Sequence, residues 1–146
     1  MKKEKNSISD LLSRTIWAAG FICLLMMLNS CAKRVVFPAS EMVPAAKAVV
    51  QIDKSKNANY NIALKVDNLA EPERLTPSRK YYSVWMETKK HGTLNIGNLK
   101  VNRKNKASLE TVTPYEPIRI YITAEDKQDP GTPSTQTILN SEDFKV

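Results

Sequence analysis

Histidine, cysteine and glycine are scarce in this chain, and each shortage removes a class of chemistry. Among 146 residues there are one histidine, two cysteines and four glycines. A zinc site draws on several Cys or His ligands, and His91 is the single imidazole, so no metal centre of that kind is expected. Four glycines leave little material for a phosphate cradle. No nucleophile elbow and no pair of carboxylates on a shared face is present either. The chain is therefore expected to be no enzyme and to hold no cofactor. Basic residues outnumber acidic ones by seven, but they are scattered. Neither interleaved aromatics nor a reading helix accompanies them, which argues against nucleic acid as a partner. Also missing is an uninterrupted apolar run of about 20 residues, the length a membrane-spanning helix needs.

The N-terminal region has the three-part order of a secretory signal. Lys2, Lys3, Lys5 and Arg14, diluted by Glu4 and Asp10, precede Thr15–Leu28, which carries no charge. Leu28, Asn29, Ser30 and Cys31 follow. This tetrad resembles the bacterial lipobox, with leucine three positions before an obligatory cysteine and a small residue just ahead of it. The resemblance implies that residues 1–30 form a cleaved signal peptide with a helical apolar part, cut between Ser30 and Cys31. It also implies a diacylglyceryl thioether on the Cys31 sulfur and a fatty chain such as palmitate on the new amino group. The alternative is an ordinary secretory signal with an incidental cysteine. Cys23 falls within the discarded segment, so the mature chain would keep one thiol with no intramolecular disulfide partner, and lipidation accounts for it. One acyl chain holds a protein reversibly and two or more hold it stably, so such an anchor needs no help from the polypeptide.

About 116 residues remain after cleavage, enough for one domain. Their net charge is about +5 once the leader is removed, a modest excess that suits apposition to anionic lipid. Residues 31–46, with Pro38 and Pro44 and no sustained period, read as a flexible tether. From Lys47 the apolar period is two. Ala48, Val50 and Ile52 share one face; Lys54–Asn59 reads as a polar turn; Tyr60, Ile62, Leu64 and Val66 face one way. Asp67–Lys80, with Pro72 and Pro77, reads as a surface connection. Further strands are expected at Tyr81–Glu87, Thr93–Val101, Lys106–Thr111, Ile118–Ala124 and around Thr137–Leu139. In the second of these, Leu94 and Ile96 differ in parity from Leu99 and Val101. A bulge at Gly97-Asn98 would bring both pairs to the core. About seven short strands separated by turns, over residues 47–146, predict an all-β antiparallel sandwich.

Tyr81-x-x-Val84-Trp85-Met86, then Gly92, Leu94-x-x-Gly97-x-Leu99 and Ala107, resembles the C-terminal domain of anti-sigma-K factors. The likeness continues through Ile122-Thr123-Ala124-Glu125 and Pro130-Gly131-Thr132-Pro133, and spans about Lys47 to Leu139. It implies an immunoglobulin-like domain facing away from the cytoplasm. Anti-sigma activity is not implied, because that family binds its sigma factor through a separate cytoplasmic helical segment. Only about fifteen residues stand ahead of the uncharged run, too few for such a segment.

Four candidate sites stand out. Trp85 is expected to plug the core, with an interface role as the alternative. Lys100, Arg103, Lys104 and Lys106 form the densest basic patch. It is either a solvated hairpin tip or a contact for headgroups, lipopolysaccharide phosphates or an acidic partner. Glu125, Asp126 and Asp129 share a loop, but their spacing matches no calcium loop. His91 reads as an exposed turn residue. The sequence thus points to a bacterial, Bacteroidetes-type lipoprotein held to the membrane by its lipid. Its monomeric, non-catalytic sandwich would bind or support an envelope protein or polysaccharide. Ala32 rather than aspartate after Cys31 favours the outer membrane, facing the periplasm, and no acidic surface-export run follows. A sensor module paired with a signalling partner, and a glycan- or metal-binding lipoprotein, are the rival readings.

Overall fold

A computed structural model describes residues 32–146. The leader and the Leu28–Cys31 tetrad lie outside the described residues. The strands are β1 (Lys33–Val36), β2 (Lys47–Lys54), β3 (Tyr60–Asp67), β4 (Tyr81–Thr88), β5 (Gly92–Leu99), β6 (Ala107–Thr113), β7 (Arg119–Glu125) and β8 (Thr137–Asn140). They form two four-stranded antiparallel sheets, ordered β1-β2-β3-β6 and β5-β4-β7-β8. The fold is an all-β sandwich. Strands β2–β8 follow the immunoglobulin-like order, in which the second strand pairs with the fifth and the third with the sixth.

The period of two builds the core directly. Ile52 pairs with Ile62, Val50 with Leu64 and Ala48 with Val66, and these side chains are buried from one sheet. The other sheet answers with Tyr82, Val84 and Met86 of β4 opposite Ala124, Ile122 and Ile120 of β7. The connection from β3 to β4 contains a 3-10 turn at Pro72–Arg74, and it buries Leu69, Pro72 and Leu75 rather than lying wholly on the surface.

The expected tether is corrected. Lys33–Val36 is an edge strand paired with Val49–Ile52. The segment that follows packs Phe37, Val43 and Ala46 into the core. The Ser40 hydroxyl fastens it, donating to the Ile138 carbonyl and accepting from the Val43 N–H. The domain therefore starts at residue 32 rather than 47. Its apolar residues follow no fixed period because the chain turns between Phe37 and Ala46, and that hid them.

The irregularity of β5 falls one position earlier than expected. Val84 pairs with Gly97 and Trp85 with Asn95, so Ile96 is the extra residue. Gly97 takes φ of 140°, and the Asn95 side chain accepts its N–H at 2.9 Å. Leu94, Ile96, Leu99 and Val101 all reach the core.

Candidate functional site

Registers and turns define two ends of the sandwich. At one end the chain enters at Lys33, opposite Ile52. The same end collects the β2–β3 turn, the β4–β5 turn, the β6–β7 connection and the last residues, where the Phe144 N–H bonds the Ile118 carbonyl. The opposite end carries the β5–β6 connection, Lys100–Lys106.

The predicted basic patch sits on that second end. Asn102 organises it: its side-chain oxygen accepts the N–H groups of Lys104 and Lys106, at 2.9 and 3.1 Å. Asn105 reaches positive φ, and its carbonyl receives the Leu69 N–H. The four cations are not equivalent. Lys106 is ion-paired with Asp67 at 2.8 Å. Lys100 shares a groove with Glu71, Glu73 and Lys80, and Glu71 there also faces Arg74 at 3.8 Å. Arg103 and Lys104 are exposed and make no ion pair among the described residues. This is a hairpin tip knitted to the β3–β4 connection, with Lys106 paired and Arg103 and Lys104 turned to solvent.

The entry end is different. The β4–β5 turn carries Lys89, Lys90 and His91, and the His91 ring packs against Tyr115 with centroids 4.2 Å apart and the planes tilted by 40°. Lys54 stands over the Tyr60 ring at 5.4 Å. Together with Pro114 and Glu116 they line an open cleft of about 340 Å³. A second hollow, lined by Lys33, Lys89, Ile118, Asp143, Phe144 and Lys145, adjoins it. Sequence reasoning left His91 without a partner because Tyr115 lies more than twenty positions away in the chain. Only the antiparallel closure of the two sheets brings them together.

Trp85 is buried but does not plug the inter-sheet core. It alternates with Val84 and Met86, which face that core, so its ring lies on the outer face of the second sheet. There it is 2% exposed. Its indole N–H donates to Thr123 Oγ1 at 2.7 Å, and that hydroxyl donates to Glu125 Oε1. The same carboxylate oxygen accepts the Ser134 N–H at 2.9 Å. The segment after β7 thus folds back on its own sheet, and the Asn98 amide on β5 ties it down through the Gln128 carbonyl at 2.7 Å. Glu125 is turned inward in this network, and Asp126 is paired with Arg79 at 2.7 Å. Neither is therefore grouped with Asp129 as a calcium loop would require. Among the described residues no cluster of three or more His, Cys, Asp or Glu converges on a metal-sized site.

No buried side-chain polar atom among the described residues lacks a hydrogen-bond partner. Burial raises the phenol pKa of Tyr82, with the Glu73 charge adding to the effect, while its hydroxyl donates to the Ala70 carbonyl at 2.9 Å. Burial also raises Tyr121, and a hydrogen bond with Thr93 opposes the shift. Tyr82 is thereby held neutral as a structural donor. No family model matches the chain, and no curated protein matches it.

Proposed function

We infer that this chain is an exported lipoprotein of a bacterial cell envelope, anchored through Cys31, whose sandwich binds or supports another envelope component without catalysing a reaction. The observation that carries this reading is the order basic leader, uncharged Thr15–Leu28, Leu28-Asn29-Ser30-Cys31. Among the described residues, the domain that follows has a core running from Phe37 to Phe144. Its surface hollows are open and lined by a mixture of lysines, carboxylates and a few aromatics, which suits contact with a macromolecule or surface better than enclosure of a small substrate. The periplasmic face of the outer membrane is the placement this reading assigns, on Ala32 in the position that follows the anchor.

The resemblance of the β4–β6 region to the anti-sigma-K extracytoplasmic domain supports a second reading, a sensor module that reports to a separate membrane partner. Crosslinking in intact cells followed by mass spectrometry distinguishes the two by the protein captured.

The anchor itself is tested by Cys31→Ser. Only a thiol at that position can form the thioether, so the variant loses incorporation of a palmitate analogue and remains unprocessed. Label that persists in Cys31→Ser would sink the anchor reading.

A further inference from the structure

The distance between anchor and fold decides how the domain sits. A tether over residues 32–46 could have reached about 50 Å, at about 3.3–3.6 Å per residue. The sandwich instead begins at Lys33, so a single residue, Ala32, separates the first strand from Cys31. One residue spans less than the Debye length of about 8 Å at physiological salt. Charges on the entry end would therefore interact with headgroups almost unscreened. The patch at Lys100–Lys106 lies a full strand away, about 25 Å for eight residues, or about three screening lengths.

We propose that the entry end of the sandwich, presenting Lys33, Lys54, Lys56, Lys89, Lys90 and Lys145, docks flush on the anionic lipid headgroups of the membrane that holds the anchor. The proposal rests on the lipid-anchor reading above. All six lysines are exposed, and none makes an ion pair among the described residues. Carboxylates nearby are engaged in part: Asp143 binds Arg119 at 2.7 Å, and Glu87 faces the same guanidinium at 3.5 Å. Glu116 and Glu142 are the exposed carboxylates of this end that no described cation pairs. Tyr115, 37% exposed and packed against His91, adds an amphipathic ring of the kind that favours a membrane interface. Five separate segments of the chain contribute, so the surface is set by the fold rather than by one flexible loop.

The test uses the full lipidated protein, reconstituted into vesicles of phosphatidylcholine with or without phosphatidylglycerol. Lysine acetylation is followed residue by residue by mass spectrometry. Each lysine held at an anionic surface gains about fivefold in local partition. Lys54, Lys89 and Lys90 should therefore be labelled at least about fivefold more slowly with phosphatidylglycerol, and high salt should restore their rates. Lys100 and Lys104 should be unaffected. Lys89→Gln combined with Lys90→Gln, both on an exposed turn, should return Lys54 to its rate in neutral vesicles. Equal labelling at both ends overturns the proposal, as does protection confined to Lys100–Lys106. Protection that needs a second envelope protein rather than anionic lipid overturns it in favour of a protein partner. A Cys31 without acyl mass, on protein that does not float with vesicles, overturns the anchor reading as well. Acylated protein with freely labelled lysines overturns the docking alone.

Discussion

Gly97 holds φ of 140° on β5, and a Cβ placed there would meet Leu109 Cδ1 at 2.8 Å. The contact is with the end of a side chain that can rotate, so the backbone sets most of the cost. Gly97→Val should destabilise the domain by about 1–3 kcal/mol, read as a lower denaturant midpoint. Gly92 also has positive φ, at 65°, but faces open space. The turn there demands positive φ. Gly92→Ala should therefore cost about 1 kcal/mol, still less than Gly97→Val. An unchanged midpoint for Gly97→Val would mean the bulge relaxes freely. Tyr82 gives a residue-scale dependence on pH. Its folded pKa is raised by burial above the usual value of about 10. The neutral phenol thus stabilises the fold fully below that pH, and the contribution is lost as pH climbs toward the folded pKa. Above about pH 10 the unfolded chain binds fewer protons, so stability should fall by up to about 1.4 kcal/mol per pH unit. Tyr82→Phe should start about 1 kcal/mol lower, having lost the bond to Ala70, and should show a shallower alkaline decline. Parallel slopes for the two proteins would show that other groups govern the alkaline limb.

Among the elements, strands with a sustained alternation were legible and the remainder were not. β2, β3, β4 and β7 announce themselves because each places three or more apolar residues two apart, and a half-buried strand requires that pattern. β5 was legible despite its change of parity, since Leu94, Ile96, Leu99 and Val101 reach one core only through an extra residue. β1 was not. Four residues with exposed Lys33, Arg34 and Val36 carry no alternation, and the buried Phe37, Val43 and Ala46 belong to a turn rather than to a face. The outer-face network of Trp85, Thr123 and Glu125 was equally hidden. A tryptophan in a central strand is buried by either face, and alternation alone does not reveal which side a returning loop covers. A chain starting at Lys47 measures what the missed segment contributes. It loses burial of Phe37 and Val43, each worth about 1.5–3 kcal/mol, and leaves β2 as a bare edge. Its stability should fall by at least about 3 kcal/mol relative to a chain starting at Ala32, with self-association visible by size-exclusion chromatography. Equal midpoints for the two would show that β1 and its following turn only decorate the sandwich.

For the whole molecule, the basic excess is divided by the fold between two ends that a linear reading cannot separate. Lys100, Arg103, Lys104 and Lys106 are the densest cluster in the sequence, yet Asp67 pairs with Lys106 and the acidic β3–β4 connection adjoins Lys100. The lysines of the entry end come from four distant stretches and find fewer counter-charges. Stability and orientation should then be separable by changing only the spacing between anchor and fold. A fifteen-residue Gly/Ser linker inserted between Ala32 and Lys33 touches no strand pair, because Lys33 is the first paired residue. The denaturant midpoint should stay within about 0.5 kcal/mol of the parent, as expected for a change away from core and caps. A flexible linker of that length has a root-mean-square span of about 20 Å, more than twice the screening length at physiological salt. The single-residue restraint on docking would be gone, and protection of Lys54, Lys89 and Lys90 on anionic vesicles should fall severalfold while the anchor stays in place. Protection that survives the linker undiminished would mean that the lysines bind headgroups strongly enough on their own, and that the short spacing contributes nothing to orientation.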